Sequence, residues 1–363
     1  MKITATQQAS VMRLAAAAAA DVRGAGDNME IRRLRSEEHG DTRGLYEEVF
    51  LEDSTAFVDY YYTEKTRDNQ IYVLKEDGGI QAMLHRNPYT LMVNGEEKAV
   101  DYIVAVATRK EYRKRGFMAA LMRAALVDMY REGHAFTFLM PAAEEIYLPH
   151  DFRTVCLQTP GLCGGPGEHP QDSEEAAAKA EDAGSIAQMA ERYLSGNYQV
   201  YAKRDEAYYT RLLKEAGSDG GSLVLYRKDG EILDCRIVYE EDGEEQKERP
   251  KIMVRIVDVR RMLMSVRLTS LMAACFTVTD PVIQENNQCF VITGTEFSGV
   301  MLMEGRRENS EGTLTAAALA ELLFGVKESG ELCGEEGVEL SPRLVEELKK
   351  IEPLSRIYLS EVV

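Results

Sequence analysis

Between an apolar run and an apolar helical pattern, the chain reads Val104-Ala-Val-Ala-Thr-Arg-Lys-Glu-Tyr-Arg-Lys-Arg-Gly-Phe-Met-Ala119. The apolar residues 99–107 before this basic turn predict a strand. The helical spacing of apolar residues 117–129 predicts a helix, which Gly133 closes. Residues 135–140 are apolar again and predict a second strand. Strand, tight turn, helix and strand together predict a βαβ unit with a parallel strand pair.

The turn between strand and helix is the most basic part of an acidic chain. The formal net charge is -18, from 61 acidic and 43 basic residues among 363. Residues 109–123 hold one acidic residue, Glu111, against these basic ones: Arg109, Lys110, Arg113, Lys114, Arg115 and Arg123. A glycine at the helix start, Gly116, lets a ligand approach the free backbone amides, where the helix dipole favours a pyrophosphate. A solvated charge run is the alternative.

Composition excludes several classes of function. The acidic excess argues against a general nucleic-acid-binding surface and favours cationic partners. No apolar stretch is long enough to cross a bilayer, so we expect no membrane partner. The six cysteines form no C-x-x-C pair, and the five histidines stand singly without ligand spacing. The sequence therefore predicts reduced thiols, a cytoplasmic location and no metal.

The remaining chain predicts an α/β protein of the α+β kind. Residues 1–28 lack apolar periodicity and predict a disordered leader, a tag or a mis-assigned start. Proline and glycine crowd residues 158–171, which places a domain boundary there. Helices are expected at 172–194 and 203–216. A strand at 252–257 begins the last part of the chain.

The motif Arg113-Lys-Arg-Gly116-Phe-Met118 resembles motif A of the GNAT superfamily of acetyl-CoA-dependent N-acetyltransferases. Met118 departs from the usual glycine or alanine. With Val-Ala-Thr before the turn and Met140-Pro-Ala-Ala-Glu-Glu-Ile-Tyr147 after it, the chain looks like the Eis (enhanced intracellular survival) branch.

That resemblance implies three domains after the leader. A catalytic GNAT domain is expected at 29–157, a short degenerate GNAT-like domain at 172–249, and a sterol-carrier-like α+β domain at 250–363. The run Lys251 to Val259 resembles the opening of the last domain. The family also implies a homo-oligomer, with the hexamer as the form known for its members.

Acetyl-CoA is the co-substrate that the resemblance implies. The backbone of Val106, Ala107 and Thr108 is expected to bind the pantetheine. The pyrophosphate is expected to be cradled by the following residues: Arg113, Lys114, Arg115, Gly116, Phe117 and Met118.

Amide formation from a thioester needs an acid for the departing thiolate and a base for the attacking amine. The resemblance assigns the acid to Tyr147, whose ordinary pKa of about 10 is close to that of a thiol. From position alone, Tyr147 could equally pack its ring beside Phe152.

The resemblance assigns the base to the C-terminal carboxylate of Val363, and the apolar chain ending fits that role. An edge strand that happens to end the chain is the alternative. Glu144 and Glu145 are further candidates for the base, and Glu361 is a candidate to bind a cationic substrate.

These residues predict an N-acetyltransferase that acts on primary amines of a cationic acceptor. The resemblance implies aminoglycosides, polyamine-like molecules or lysine, including protein lysine. A non-catalytic protein that binds acyl-CoA and lipid is the alternative from another class.

Overall fold

A computed structural model describes residues 29–158, 161–239 and 249–361. The predicted leader at 1–28 and Val363 lie outside the described residues. In chain order, the strands are β1 (Met29–Arg33), β2 (Gln70–Glu76), β3 (Gly79–Val93), β4 (Glu96–Thr108), β5 (Phe136–Leu139), β6 (Arg153–Leu157), β7 (Glu174–Ala177), β8 (Val200–Ala202), β9 (Gly221–Lys228), β10 (Glu231–Tyr239), β11 (Lys251–Ile256), β12 (Arg267–Leu268), β13 (Met272–Thr279), β14 (Cys289–Thr295), β15 (Gly299–Glu304), β16 (Gly312–Thr315), β17 (Glu339–Leu340), β18 (Ile351–Glu352) and β19 (Ile357–Tyr358).

The helices follow the apolar periodicity of the sequence. They are α1 (Arg43–Val49), α2 (Thr55–Thr63), α3 (Phe117–Glu132), α4 (Glu144–Tyr147), α5 (Ala183–Asn197), α6 (Glu206–Ser218), α7 (Val259–Leu263), α8 (Ala316–Leu323) and α9 (Pro342–Leu348). Short 3-10 turns lie between them, including Lys65–Arg67 and Lys110–Tyr112.

A large sheet organises the molecule, with the strand order β1-β2-β3-β4-β5-β11-β6. Strands β4 and β5 are parallel and α3 connects them, which confirms the predicted βαβ unit. The two hairpins β2–β3 and β3–β4 turn at Asp77-Gly78 and Asn94-Gly95. All four of these residues have positive φ, from 51° to 85°, as tight primed turns require. The mixed α/β prediction is confirmed.

The middle segment forms a small sheet of order β10-β9-β7, packed on α5 and α6. The expectation of a helix from residue 172 is wrong at its beginning, because 174–177 is strand β7, antiparallel to β9. Strand β7 forms hydrogen bonds with the backbone of β9, which would otherwise be an exposed edge of the sheet. The helix begins only at Ala183. In the turn before it, the Asp182 carboxylate accepts a hydrogen bond from the Lys179 backbone N–H at 2.8 Å.

The later part of the chain forms a second sheet of order β15-β14-β13-β16-β17. Its predicted first strand, β11, does not join that sheet. It lies between β5 and β6 of the large sheet and is antiparallel to both. From Ile252 to Ile256 this strand is buried, so both of its faces and both of its edges need partners. The boundary expected at residue 250 is therefore bridged by strand hydrogen bonds.

Two further strands connect distant parts of the chain. β8 of the middle segment is antiparallel to the end of β3, and β19 near the C-terminus is parallel to β8. One hydrophobic core runs from Tyr72 in the first segment through Ile252 to Leu359. The C-terminal segment is thereby fixed against the first segment, close to the site described next.

Candidate active site

Strand β4 carries a bulge where the sequence predicts pantetheine binding. The β3–β4 register shifts between Met83 and His85, and Ala105 has a φ of 50°. On β4, strand β5 pairs only with Tyr102 and Ile103, because it ends at Leu139. Among the described strands, none pairs with 104–108 on that side. Backbone groups of the predicted residues Val106, Ala107 and Thr108 therefore border a cleft between diverging parallel strands.

The basic turn leads from this cleft into α3. Gly116 is the N-cap of the helix, with a φ of 79° that a side chain rarely adopts. The first hydrogen bond of the helix runs from Ala120 N–H to Gly116 O at 3.0 Å. The N–H groups of Phe117, Met118 and Ala119 are thus the free donors of the helix end. A phosphate fits such a site.

The basic side chains of the turn differ in their partners. Arg115 pairs with Glu76 at 2.7 Å and lies over the ring of Phe117, so it stabilises the turn itself. Arg113 donates from Nε to the Thr108 carbonyl at 3.1 Å, which leaves most of its guanidinium N–H groups for a ligand. Arg113 and Lys114 are exposed, and neither has an acidic partner within the described part of the chain. These two side chains are the cations that could meet a phosphate.

Tyr147 ends the short helix α4 and lines a cavity of about 380 Å³, here called the Tyr147 cavity. Val104, Ala105 and Val106 of the β4 bulge line the same cavity. The ring of Tyr147 packs edge-to-face on Phe152, with 5.9 Å between ring centroids. Both roles considered for this tyrosine in the sequence are therefore compatible: the ring packs, and the residue borders the cleft.

Burial raises the pKa of Tyr147 to about 12. The residue is only 8% exposed, and desolvation disfavours its phenolate form. Tyr147 therefore keeps its proton throughout the neutral pH range, as a proton donor must.

Three carboxylates from distant parts of the chain line the other side of the Tyr147 cavity. Asp53 follows α1, Glu215 lies on α6, and Asp219 directly follows α6. Burial, together with Asp53 and Glu215, raises the pKa of Asp219. Such mutual repulsion favours a cationic ligand. No pattern in the sequence identifies these residues, since no spacing connects an α1 loop to a helix in another segment.

Glu361 is buried and ion-paired. It is 1% exposed, and its Oε1 lies 2.8 Å from Nη2 of Arg204, which is itself 4% exposed. Its backbone carbonyl accepts a hydrogen bond from the Gln158 side chain at 3.2 Å. The expectation that Glu361 faces the substrate cavity finds no support here, because its charge is compensated within the protein. The same contacts hold the chain in place two residues before Val363.

The alternative bases from the sequence do not line the Tyr147 cavity. Glu144 accepts hydrogen bonds from Lys251 and Thr154, and these two lower the pKa of its carboxyl group. Neither Glu144 nor Glu145 is among the described residues that line the cavity.

One group of potential metal ligands appears among the described residues. Ligand atoms of Asp101, Glu132 and His134 lie within 4.8 Å of one another. The buried guanidinium of Arg86 ion-pairs with both carboxylates of the group. A metal ion there would have to displace a paired cation, so the donor set does not fit one.

Comparison with known proteins agrees with this geometry. Residues 30–155 match the family of acetyltransferase (GNAT) domains. This part of the chain is similar to an acetyltransferase (GNAT) domain. The match confirms the predicted enzyme class, and it covers the bulged strand, the basic turn and Tyr147. No curated protein matches the sequence.

Solved structures extend the likeness of fold beyond the GNAT domain. A probable N-acyltransferase of unknown function from Enterococcus faecalis V583 superposes with a TM-score of 0.71 at 14% identity, over 91% of this chain and 99% of that one. Eis1 from Mycobacterium abscessus superposes with a TM-score of 0.68 at 13% identity, over 92% and 100%. At such identities the likeness concerns the fold, which these proteins share over almost their whole lengths.

None of the described helices is both long and apolar enough to span a membrane.

Proposed function

We propose that this chain transfers the acetyl group of acetyl-CoA to a primary amine of a cationic acceptor. The observation that supports this most is the shared lining of one cavity by the β4 bulge and by Tyr147. A thioester positioned along β4 by the backbone would present its acyl group to that cavity. Acetyl-CoA supplies an acetyl group activated by a thiolate leaving group.

The chain's own residues have distinct roles in this proposal. Backbone groups of Val106 to Thr108 bind the pantetheine amides, and the start of α3 with Arg113 and Lys114 binds the pyrophosphate. The amine nitrogen forms a bond to the acetyl carbon, and the carbon–sulfur bond breaks. Tyr147 donates its proton to the departing thiolate sulfur. The proton of the attacking nitrogen passes to a carboxylate.

For that carboxylate we propose the C-terminus of Val363. This assignment is supported indirectly by Glu361, two residues before Val363, because Arg204 and Gln158 hold Glu361 in place. Burial and, secondarily, the Glu361 carboxylate raise the pKa of Tyr102, a residue that lines the Tyr147 cavity. The chain two residues before Val363 therefore lies within electrostatic reach of the proposed reaction site.

The acceptor class rests on Asp53, Glu215 and Asp219 in the Tyr147 cavity. Lys65 compensates the charge of Glu215, so the charges of Asp53 and Asp219 would attract a polyamine, an aminoglycoside or a lysine side chain. We propose likewise that residues 250–363 are sterol-carrier-like and that the chain forms a homo-oligomer in the cytoplasm.

Removal of the Tyr147 hydroxyl tests the assigned acid. We expect Tyr147→Phe to lower kcat by about 100-fold or more, with a nearly unchanged KM for acetyl-CoA, because general acid catalysis typically contributes that much. Tyr226→Phe is a matched control, since Tyr226 is also 8% exposed but lies in the small sheet of the middle segment. Equal kcat in both variants would contradict the role of Tyr147.

Displacement of the terminal carboxylate tests the assigned base. Two glycines added after Val363 would move the carboxylate by several ångströms without changing any described contact. We expect kcat to fall and the melting temperature to stay the same, whereas two glycines added before Met1 should change neither. An undiminished kcat in the C-terminal extension would show that another group takes the proton.

A further inference from the structure

The lining of the Tyr147 cavity narrows the class of acceptor. Most of its described lining side chains are aliphatic or aromatic, among them Phe50, Phe57, Leu212 and Ile237. The described lining contains no serine, threonine, asparagine, glutamine, lysine or arginine. In this part of the chain, the hydrogen-bonding side chains of the cavity are therefore carboxylates and tyrosines. Such a wall offers few partners to a ligand that carries many hydroxyl groups.

An apolar part of the wall connects the β4 bulge to one of the carboxylates. Tyr46 is 3% exposed and belongs to the same hydrophobic cluster as Phe57 and the bulge residue Ala105. All three line the cavity. The Tyr46 hydroxyl donates to Asp53 Oδ2 at 2.7 Å, which fixes the carboxylate at the far end of the Tyr46 ring. A ligand that extends from the bulge to Asp53 therefore passes along hydrocarbon.

Asp53 and Asp219 are the carboxylates that a ligand can reach. Asp53 is partly exposed and Asp219 is exposed, whereas Glu215 is buried and pairs with Lys65 at 2.9 Å. Burial, followed by Asp53 and Glu215, raises the pKa of Asp219, and no basic side chain counteracts them. An ammonium group bound between Asp53 and Asp219 would relieve this repulsion.

These carboxylates lie at a distance from the proposed proton donor. The pKa of Tyr147 rises through burial, without a contribution from any described carboxylate. A charge within about 4–6 Å would shift that pKa, so Asp53 and Asp219 lie further from the Tyr147 hydroxyl. An ammonium held by them does not place its own nitrogen at the reaction site. The acceptor therefore needs a second nitrogen, more than about 6 Å away, which at about 1.2 Å per bond of an extended chain takes about five or more carbon atoms.

We propose that the preferred acceptors are α,ω-diamines whose two nitrogen atoms are joined by an uncharged hydrocarbon spacer of about five or more carbon atoms. The protonated nitrogen binds Asp53 and Asp219, and the spacer lies along Tyr46 and Phe57. The unprotonated nitrogen attacks the acetyl carbon. This substrate class rests on the acetyl transfer proposed above, with the same bond changes and proton movements. The hydroxyl groups of an aminoglycoside, or a charged nitrogen within the spacer, would lie unpaired beside apolar side chains.

Matched amines test the two parts of this substrate class. α,ω-Diaminooctane has as many chain atoms between its terminal nitrogens as spermidine, with carbon in place of the inner nitrogen. Octylamine has the same carbon chain without the second nitrogen, and α,ω-diaminobutane has a spacer that is too short. The kcat and KM of each are measured at saturating acetyl-CoA, together with those of the aminoglycoside kanamycin. We expect kcat/KM for α,ω-diaminooctane to exceed that for each of the other four at least tenfold.

A variant of Asp53 tests the ammonium contact. Asp53→Asn should raise the KM for α,ω-diaminooctane at least tenfold and change the KM for octylamine less than twofold, because octylamine lacks the group that Asp53 binds. Glu52→Gln is the matched control, since Glu52 is the exposed neighbour of Asp53 and is not among the described residues that line the cavity. It should alter neither KM. A merely structural role of Asp53 would affect both amines alike.

The outcomes separate this inference from the proposed transfer. Equal or higher kcat/KM for spermidine or kanamycin would overturn the diamine class and leave acetyl transfer intact. The same holds for an equal KM of α,ω-diaminooctane and octylamine, or for equal effects of Asp53→Asn on both. Acetylation of none of these amines would overturn both the inference and the proposed transfer.

Discussion

One tyrosine hydroxyl and one buried ion pair define the site at the scale of residues. Tyr147 combines a packed ring with a pKa of about 12, so the same burial that fixes the side chain also keeps it protonated. Glu361 and Arg204 are both almost fully buried, and each compensates the charge of the other. Tyr147 can act directly as a proton donor, whereas the Glu361–Arg204 ion pair fixes the position of the chain end.

The ion pair leads to a prediction about stability. Glu361→Gln leaves the buried guanidinium of Arg204 without its counter-charge, so we expect the free energy of unfolding to fall by about 3–5 kcal/mol. Glu96→Gln, in an exposed pair with Lys98, should change it by less than about 1 kcal/mol. Denaturant unfolding measures both. An unchanged stability of Glu361→Gln with a raised KM for the acceptor would instead restore Glu361 as a substrate-binding residue.

At the scale of elements, the site is the junction of β4 and α3. The bulge at Ala105 and the end of β5 at Leu139 open the sheet, and Gly116 begins the helix directly beside this opening. The basic turn thereby joins the unpaired end of the strand to the free amides of the helix. This arrangement depends on backbone conformation more than on any side chain.

The helix start can be tested through its glycine. Gly116→Ala places a Cβ at a φ of 79°, which costs about 1–2 kcal/mol, and should raise the KM for acetyl-CoA as the turn shifts. Gly196→Ala is the matched control, because Gly196 lies within α5 with open space around it. That change should stabilise the chain by up to about 1 kcal/mol. An unaltered KM for acetyl-CoA in Gly116→Ala would argue against phosphate binding at this turn.

Local pattern was enough to predict much of this junction. The basic turn and the apolar face of α3 are encoded within a few neighbouring residues, and the structure has them where the sequence predicts them. Long-range placement could not be predicted in this way. The apolar run of β11 reads as the opening of a new domain, and only its pairing with β5 and β6 reveals its place.

The candidate site likewise combines residues that local sequence predicts with residues whose proximity it does not predict. Val106 and Tyr147 were predicted from the motif and border one cavity. Asp53, Glu215 and Asp219 come from loops and helices far apart in the chain, so no spacing signals their proximity. Glu361 was a candidate to bind a cationic substrate, and its ion pair with Arg204 could not be foreseen because the two residues lie more than a hundred positions apart.

At the scale of the whole molecule, strands shared between segments join the chain into one structure. β8 and β11 enter the large sheet from the middle and later segments, and the core continues across them. Since these ladders cross every expected domain boundary, we expect the segments to unfold together rather than one after another.

Buried histidine makes the stability of the whole chain depend on pH. His85 is fully buried, and burial lowers its pKa to about 3, with a smaller contribution from His39. Between about pH 6.5 and 3 the unfolded state therefore binds a proton that the folded state does not, and stability falls as pH falls. From about pH 7.5 to 5, His85 alone should remove about 2 kcal/mol. Urea unfolding of His85→Gln should show a correspondingly shallower pH slope, and an identical slope would contradict the buried neutral state.

Acetyl transfer itself is the most direct test of the central proposal. The purified chain is mixed with acetyl-CoA and, in turn, spermidine, an aminoglycoside and a lysine-containing peptide. Thiol release and the mass of each acceptor are measured together. We expect amine-dependent thiol release, matched one to one by acceptor molecules that gain an acetyl group, and we expect Tyr147→Phe to abolish it. Binding of acetyl-CoA without thiol release for any amine would contradict it and would favour a non-catalytic acyl-CoA-binding protein.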